Sequence, residues 1–95
     1  MFAKSKPKGY SEFLDTDKKL KVILYNTKII EYCPENKVII LNDGNWKTKH
    51  TKKCMNLFLN RFNFNLYQKN FTWSVENTIT GEEIEYNTGL VIKLQ

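Results

Sequence analysis

The residues of this 95-residue chain that could do chemistry gather in one short run, Lys47-Thr48-Lys49-His50-Thr51-Lys52-Lys53. It holds four lysines, two hydroxyls and the only histidine, and a helix is expected to begin inside it, near Thr48 or Thr51. A helix start carries about half a positive charge, so each lysine there costs roughly 0.3–1 kcal/mol at an exposed site. No aspartate or glutamate between Trp46 and Arg61 offsets them. A cationic helix start with backbone N–H groups and hydroxyls suits an anion, above all phosphate. The candidate anion- or nucleic-acid-binding residues are therefore Lys47, Thr48, Lys49, His50, Thr51, Lys52 and Lys53, with Arg61 farther along the same helix. Two plainer readings stand beside this one: a solvated charge run, or contact with an acidic protein surface. In the plainer reading a threonine simply caps the helix, worth about 1 kcal/mol, and Trp46 packs beneath the loop.

Catalysis finds little to work with. One histidine, no Cys/His/Asp metal cluster, no glycine-rich phosphate loop and no G-x-S-x-G elbow point to a non-enzymatic protein without cofactor or metal. His50 and Cys54, four apart on one helix, could in principle form a thiolate–imidazole pair, but the sequence supplies no group to orient it. Glu82, Glu83 and Glu85 could attract a cation, although neighbouring surface acids are ordinary. Tyr25, Tyr32, Tyr67, Trp73 and Tyr86 fall on expected strands, where exposed rings can stack single-stranded bases. Without an aromatic ribonucleoprotein signature, core packing is their favoured role.

The formal net charge of +5 is unevenly placed. Residues 1–53 hold twelve lysines against six acids, whereas residues 54–95 hold three basic side chains against four acids. One face meeting something anionic is the natural reading. Fourteen of the fifteen basic residues are lysine, a point charge, which favours contact with phosphates over reading of base edges. Eleven asparagines beside the many lysines also match the codon bias of an AT-rich genome, which would supply part of the charge. Two cysteines, Cys33 and Cys54, no signal-like apolar run in Met1–Lys21 and no long apolar segment suggest a protein of the host cytoplasm, with free thiols and no membrane contact.

The elements that must position the lysines follow from periodicity. Met1–Lys8 reads as a mobile basic arm. Tyr10, Phe13 and Leu14 at helical spacing suggest a short helical turn within Gly9–Lys19. Lys21–Tyr32 and Lys37–Asn42 are expected strands, joined as a hairpin by Cys33-Pro34-Glu35-Asn36. In Thr51–Phe62 the apolar residues Met55, Phe58, Leu59 and Phe62 recur at i, i+3, i+4 and i+7, a stripe that faces a sheet, while Lys52, Lys53, Asn56, Asn60 and Arg61 can reach solvent. Asn63 is suited to ending that helix. Phe62, Phe64 and Leu66, then Phe71, Trp73 and Val75, alternate about a turn at Gln68-Lys69-Asn70. Glu83–Tyr86 and Leu90–Leu94 complete a terminal hairpin. The expected fold is a single α+β domain over 1–95: an antiparallel sheet of about five to six strands and one main helix, in the order β-β-α-β-β plus the terminal hairpin.

The middle of the chain resembles a family of short bacteriophage and prophage proteins. The likeness is carried by Leu24-Tyr25-Asn26-Thr27, by Leu41-Asn42, Gly44, Trp46, Thr48 and Thr51-Lys52, by Met55-Asn56, and by Tyr67-Gln68-Lys69 before Trp73, about 50 of the 95 residues. The resemblance implies a genetic setting and no catalytic residues. Proteins of this kind include anti-defence factors such as anti-CRISPR proteins. Three functions are therefore carried forward. One is an inhibitor engaging a host nucleoprotein, such as a CRISPR effector or its guide RNA, through Lys47–Lys53. Another is a stand-alone binder of single-stranded nucleic acid using the same patch. The third is a structural phage protein.

Overall fold

Strands in this chain are short because turn-forming residues recur between them. The computed structural model describes residues 7–44 and 47–94. Most of the expected basic arm, and Trp46 beneath its loop, lie outside the described residues. Among the described residues, four strands come first: β1 (Tyr10–Leu14), β2 (Leu20–Leu24), β3 (Thr27–Cys33) and β4 (Val38–Leu41). Helix α1 (Lys49–Leu59) follows, with a 3-10 turn at Asn60–Phe62. Then come β5 (Phe64–Lys69), β6 (Thr72–Asn77), β7 (Glu83–Glu85) and β8 (Val91–Lys93). All pairings are antiparallel, giving one sheet ordered β1-β2-β3-β4-β8 and another ordered β5-β6-β7. The α+β class, the single main helix and the hairpin joining β3 to β4 are as the sequence suggests, with eight strands in two sheets in place of five to six in one.

Three differences have local causes. Gly9–Lys19 holds β1 and a tight turn, not a helical turn, because Asp15 and Asp17 accept the N–H groups of Thr16 and Lys19 and so favour the turn over a helix. Lys21–Tyr32 is two strands, since Tyr25 takes φ 58 and the chain reverses at Tyr25-Asn26. The last two strands do not form a hairpin. Gly89 and Leu90 cross to Leu41, whose C=O accepts from Gly89 at 2.8 Å and whose N–H donates to Leu90 at 2.9 Å. That capture seats β8 on β4, while β7 stays with β6.

The apolar stripe of α1 faces the core as its spacing predicts. Cys54, Met55, Phe58 and Leu59 are fully buried, together with Val22, Ile39, Leu41, Leu66 and Val75 from the two sheets. Ile29 and Ile30 are both buried although adjacent, because a bulge opposite Val22 and Ile23 interrupts the alternation. Tyr32, Phe58 and Phe62 form a ring cluster with centroids 4.9–6.0 Å apart. Asn63 ends the helical segment in the left-handed region at φ 66, ψ 36.

Asn56 and Asn60 do not simply reach solvent. The Asn56 amide donates to the Leu66 carbonyl at 2.8 Å and accepts the Leu66 N–H at 2.6 Å. Asn60 donates to the Phe64 carbonyl at 2.7 Å. The helix thus occupies the outer edge of β5 as a neighbouring strand would. Among the described residues no helix is long and apolar enough to cross a membrane.

Phe58→Ala is expected to cost about 3–5 kcal/mol by leaving a cavity between helix and sheets, and urea denaturation measures it. Asn56→Ala strands two backbone groups of the buried Leu66 and should cost roughly 2–4 kcal/mol. An unchanged unfolding midpoint for Asn56→Ala would mean that the β5 edge is not held by this side chain.

Candidate nucleic-acid interface

The start of α1 is shaped by Thr48. Its backbone is extended, at φ −109 and ψ 165, and its Oγ1 accepts the Thr51 N–H at 3.1 Å. The Thr51 hydroxyl lies 3.1 Å from that same Oγ1 and is buried. Both hydroxyls therefore serve the cap, and Thr51 is turned away from any ligand in solvent. What remains outward at this end is the N–H groups of Lys49 and His50 in the first turn, which an α-helix leaves without i−4 partners, and the lysine side chains.

Those lysines stand together. Lys47, Lys49 and Lys53 are exposed and Lys52 is half-buried. Lys49, Lys52 and Lys53 share with Pro7, Asn56, Leu57 and Asn60 the rim of an open groove of about 840 Å³. The Lys47 ammonium sits 5.8 Å from the centre of the Tyr86 ring. None of the four takes part in an ion pair among the described residues, and the first helical turn holds no acid.

Four other cations are fastened. Lys21 is buried and donates to Asp15 at 3.0 Å and Asp17 at 3.2 Å; its bond holds the Asp15 carboxyl below the usual range, and the Lys19 N–H, with Lys21 behind it, does the same for Asp17. Lys19 and Lys28 both pair with Glu31. Arg61 makes a two-pronged pair with Glu12 at 2.7 and 2.8 Å and lies 5.2 Å over the Phe58 ring. It sits beyond the C-terminal end of α1, joining the helical segment to β1. The structure does not bring Arg61 to the lysine cluster.

His50 is tied to the opening of the described chain. Its Nε2 lies 2.7 Å from the Lys8 carbonyl, which can only accept, so Nε2 carries the proton. Cys54 Sγ is 3.9 Å from that same nitrogen. A nitrogen already protonated and donating elsewhere cannot take a proton from the thiol. Burial moreover pushes the Cys54 thiol above its ordinary range, and the side chain is sealed from solvent. The pair is not arranged as a nucleophile. Among the described residues no group of three or more His, Cys, Asp or Glu side chains could hold a metal ion, Glu82, Glu83 and Glu85 included.

The aromatic candidates separate by burial. Trp73 and Tyr86 are core residues whose rings meet at 5.5 Å with a 48° tilt, and Tyr32 is half-buried in the Phe58 cluster. Tyr67 lies on the outer side of β5, where a hydrogen bond to Glu83 raises its hydroxyl pKa. Tyr25 is exposed, 6.2 Å from the His50 ring.

Apolar alternation puts Phe71 on the buried face with Trp73 and Val75; it is instead 96% exposed, at the tip of the hairpin joining β5 to β6. The turn is Asn70-Phe71, one residue later than the composition of Gln68-Lys69-Asn70 suggests. The signal was Asn70 itself, a residue at home at the first position of a two-residue loop. Phenylalanine at the second position concealed it.

Comparison with known proteins bears on the setting of this surface. No curated protein and no solved structure matches the chain. A family model described as Kyanoviridae Gp96 protein matches residues 7–93, extending well beyond the middle stretch that carried the resemblance to phage proteins. The chain therefore belongs to the Kyanoviridae Gp96 protein family, a family of phage proteins.

Proposed function

We propose that this phage protein acts without catalysis in the host cytoplasm, laying the lysine face at the start of α1 against the phosphates of a nucleic acid. The nucleic acid is either free or held in a host nucleoprotein; in the second case the protein is an anti-defence inhibitor of the anti-CRISPR kind. One observation carries the reading. Lys19, Lys21, Lys28 and Arg61 are neutralised by acids, while Lys47, Lys49, Lys52 and Lys53 are gathered at a helix start with no ion-pair partner among the described residues. A helix start gains nothing from such a cluster. A polyanion does, because each lysine–phosphate contact releases condensed counterions.

For four contacts to a single strand, log affinity should fall against log salt with a slope near −3. Changing Lys49, Lys52 and Lys53 together to glutamine keeps Lys47 over the Tyr86 ring and removes three contacts, so the slope should flatten to about −1. The unfolding midpoint should hold or rise, since like-signed charge leaves the helix start. A wild-type affinity indifferent to salt would remove phosphate contact as the main interaction. Pull-down from host lysate with and without nuclease separates the targets: a host protein retained after nuclease treatment marks the inhibitor, and one lost marks the nucleic-acid binder.

A further inference from the structure

Phe71 is the side chain the fold has least use for. Its ring is 96% exposed and so buries almost nothing. Its backbone is left-handed, φ 66, after Asn70 at φ 51. Positive φ at both loop positions is the geometry of a two-residue hairpin, where the second position strongly favours glycine. A bulky residue there is strained. Strain held at an exposed ring points toward something outside the chain.

Where the ring stands follows from two independent observations. The first is the pairing of helix and strand. Asn60, in the 3-10 turn that continues α1, bonds Phe64, and Asn56 bonds Leu66, so four residues back along the helical segment match two residues forward along β5. Both steps advance about 6 Å, so the match persists with little drift. It sets Lys52 abreast of Gln68 and Thr48 abreast of Asn70. The second is a chain of rings. The Lys47 ammonium lies 5.8 Å from the Tyr86 ring, and the Tyr86 and Trp73 rings lie 5.5 Å apart. Trp73 pairs with Gln68, with only the Lys69–Thr72 pair between them and the hairpin tip. Both routes place Phe71 at the lysine end of the helix, on the β5 side.

We propose that Phe71 is a stacking platform for an unpaired base, and that the nucleic acid on the lysine face is single-stranded. The inference rests on the phosphate-binding reading above and adds to it the side chain that takes an unpaired base, and with it a reason for a single strand over a duplex. A duplex keeps its base faces stacked on one another, so a projecting ring cannot use them without unstacking a step. A single strand offers every base face to an aromatic ring, whatever its sequence. Tyr25, the other exposed ring at this end, already packs one side against Gly9, where any added Cβ would meet its ring at 2.6 Å. Phe71 has both faces open.

The test uses the full chain and a fluorescein-labelled oligothymidine of about 12 nucleotides, with a duplex of equal length as comparison. Phe71→Gly removes the ring and relieves the backbone, so the unfolding midpoint should not fall. Affinity for the single strand should drop roughly 5- to 100-fold with the salt slope unchanged, while duplex affinity stays put. Phe71→Trp should restore or exceed wild-type binding. Phe71→Gly binding the single strand as wild type does, while the triple lysine variant fails, would overturn the stacking role and leave the lysine face standing. Wild-type protein without salt-dependent binding would overturn both. Loss of a host protein partner in Phe71→Gly with oligonucleotide affinity intact would make the ring a protein anchor and overturn the proposal equally.

Discussion

Two asparagine side chains moor the helix to the edge of β5, and much of the molecule follows from that contact. An edge strand leaves alternate N–H and C=O groups unpaired, and buried ones cannot stay so. Asn56 satisfies both groups of Leu66, and Asn60 satisfies the carbonyl of Phe64. Asparagine is a poor helix former, so two of them one turn apart, both turned to the same strand edge, serve position over propensity. With that side of α1 held to β5 and the Phe58 stripe held to the core, rotation about the helix axis is fixed. The face left outward is the one bearing Lys49 and Lys53.

The charges divide in the same manner. Three lysines of the five-stranded sheet and its turns are fastened locally: Lys21 to two aspartates of its own turn, Lys19 and Lys28 to Glu31. Arg61 spans from the helical segment to Glu12 on β1 and stacks over Phe58, which makes it a brace between the helix and the first strand. Such a pair orders two long side chains for a modest electrostatic gain, but its two-pronged geometry adds direction. Lys47, Lys49, Lys52 and Lys53 remain together at the start of α1 with no ion pair among the described residues.

Membership of a phage protein family supplies the setting, and the chemistry has to come from the surface. Two exposed rings, Tyr25 beside His50 and Phe71 at the tip of the β5–β6 hairpin, both occupy turns with positive φ. Neither ring is needed to close the core, which Phe58, Trp73 and their neighbours fill. On the proposed reading, a cationic face flanked by rings is a different object from a charge run alone, because base stacking adds a contact that charge does not supply.

Local rules determined what is local. The 3.6-residue spacing of Met55, Phe58, Leu59 and Phe62 set the helix face, Thr48 its start and Asn63 its end, and β-branched runs marked the strands, because these features depend on neighbours within one or two turns of chain. Partners distant in sequence decided the rest. Alternation says that Val91 to Lys93 is a strand but cannot say that β4, some fifty residues earlier, is its neighbour. Arg61 reads as one more basic residue until Glu12, 49 residues away, is found beneath it. Asn56 and Asn60 read as solvent-facing until an edge strand needs their amides. Phe71 reads as the first core residue of a strand, because apolar alternation is blind to register, and pairing Lys69 with Thr72 is what puts the ring outside. A sequence lists which side chains can bind; the long-range pairing of backbone edges and charges settles which of them are left free to do so.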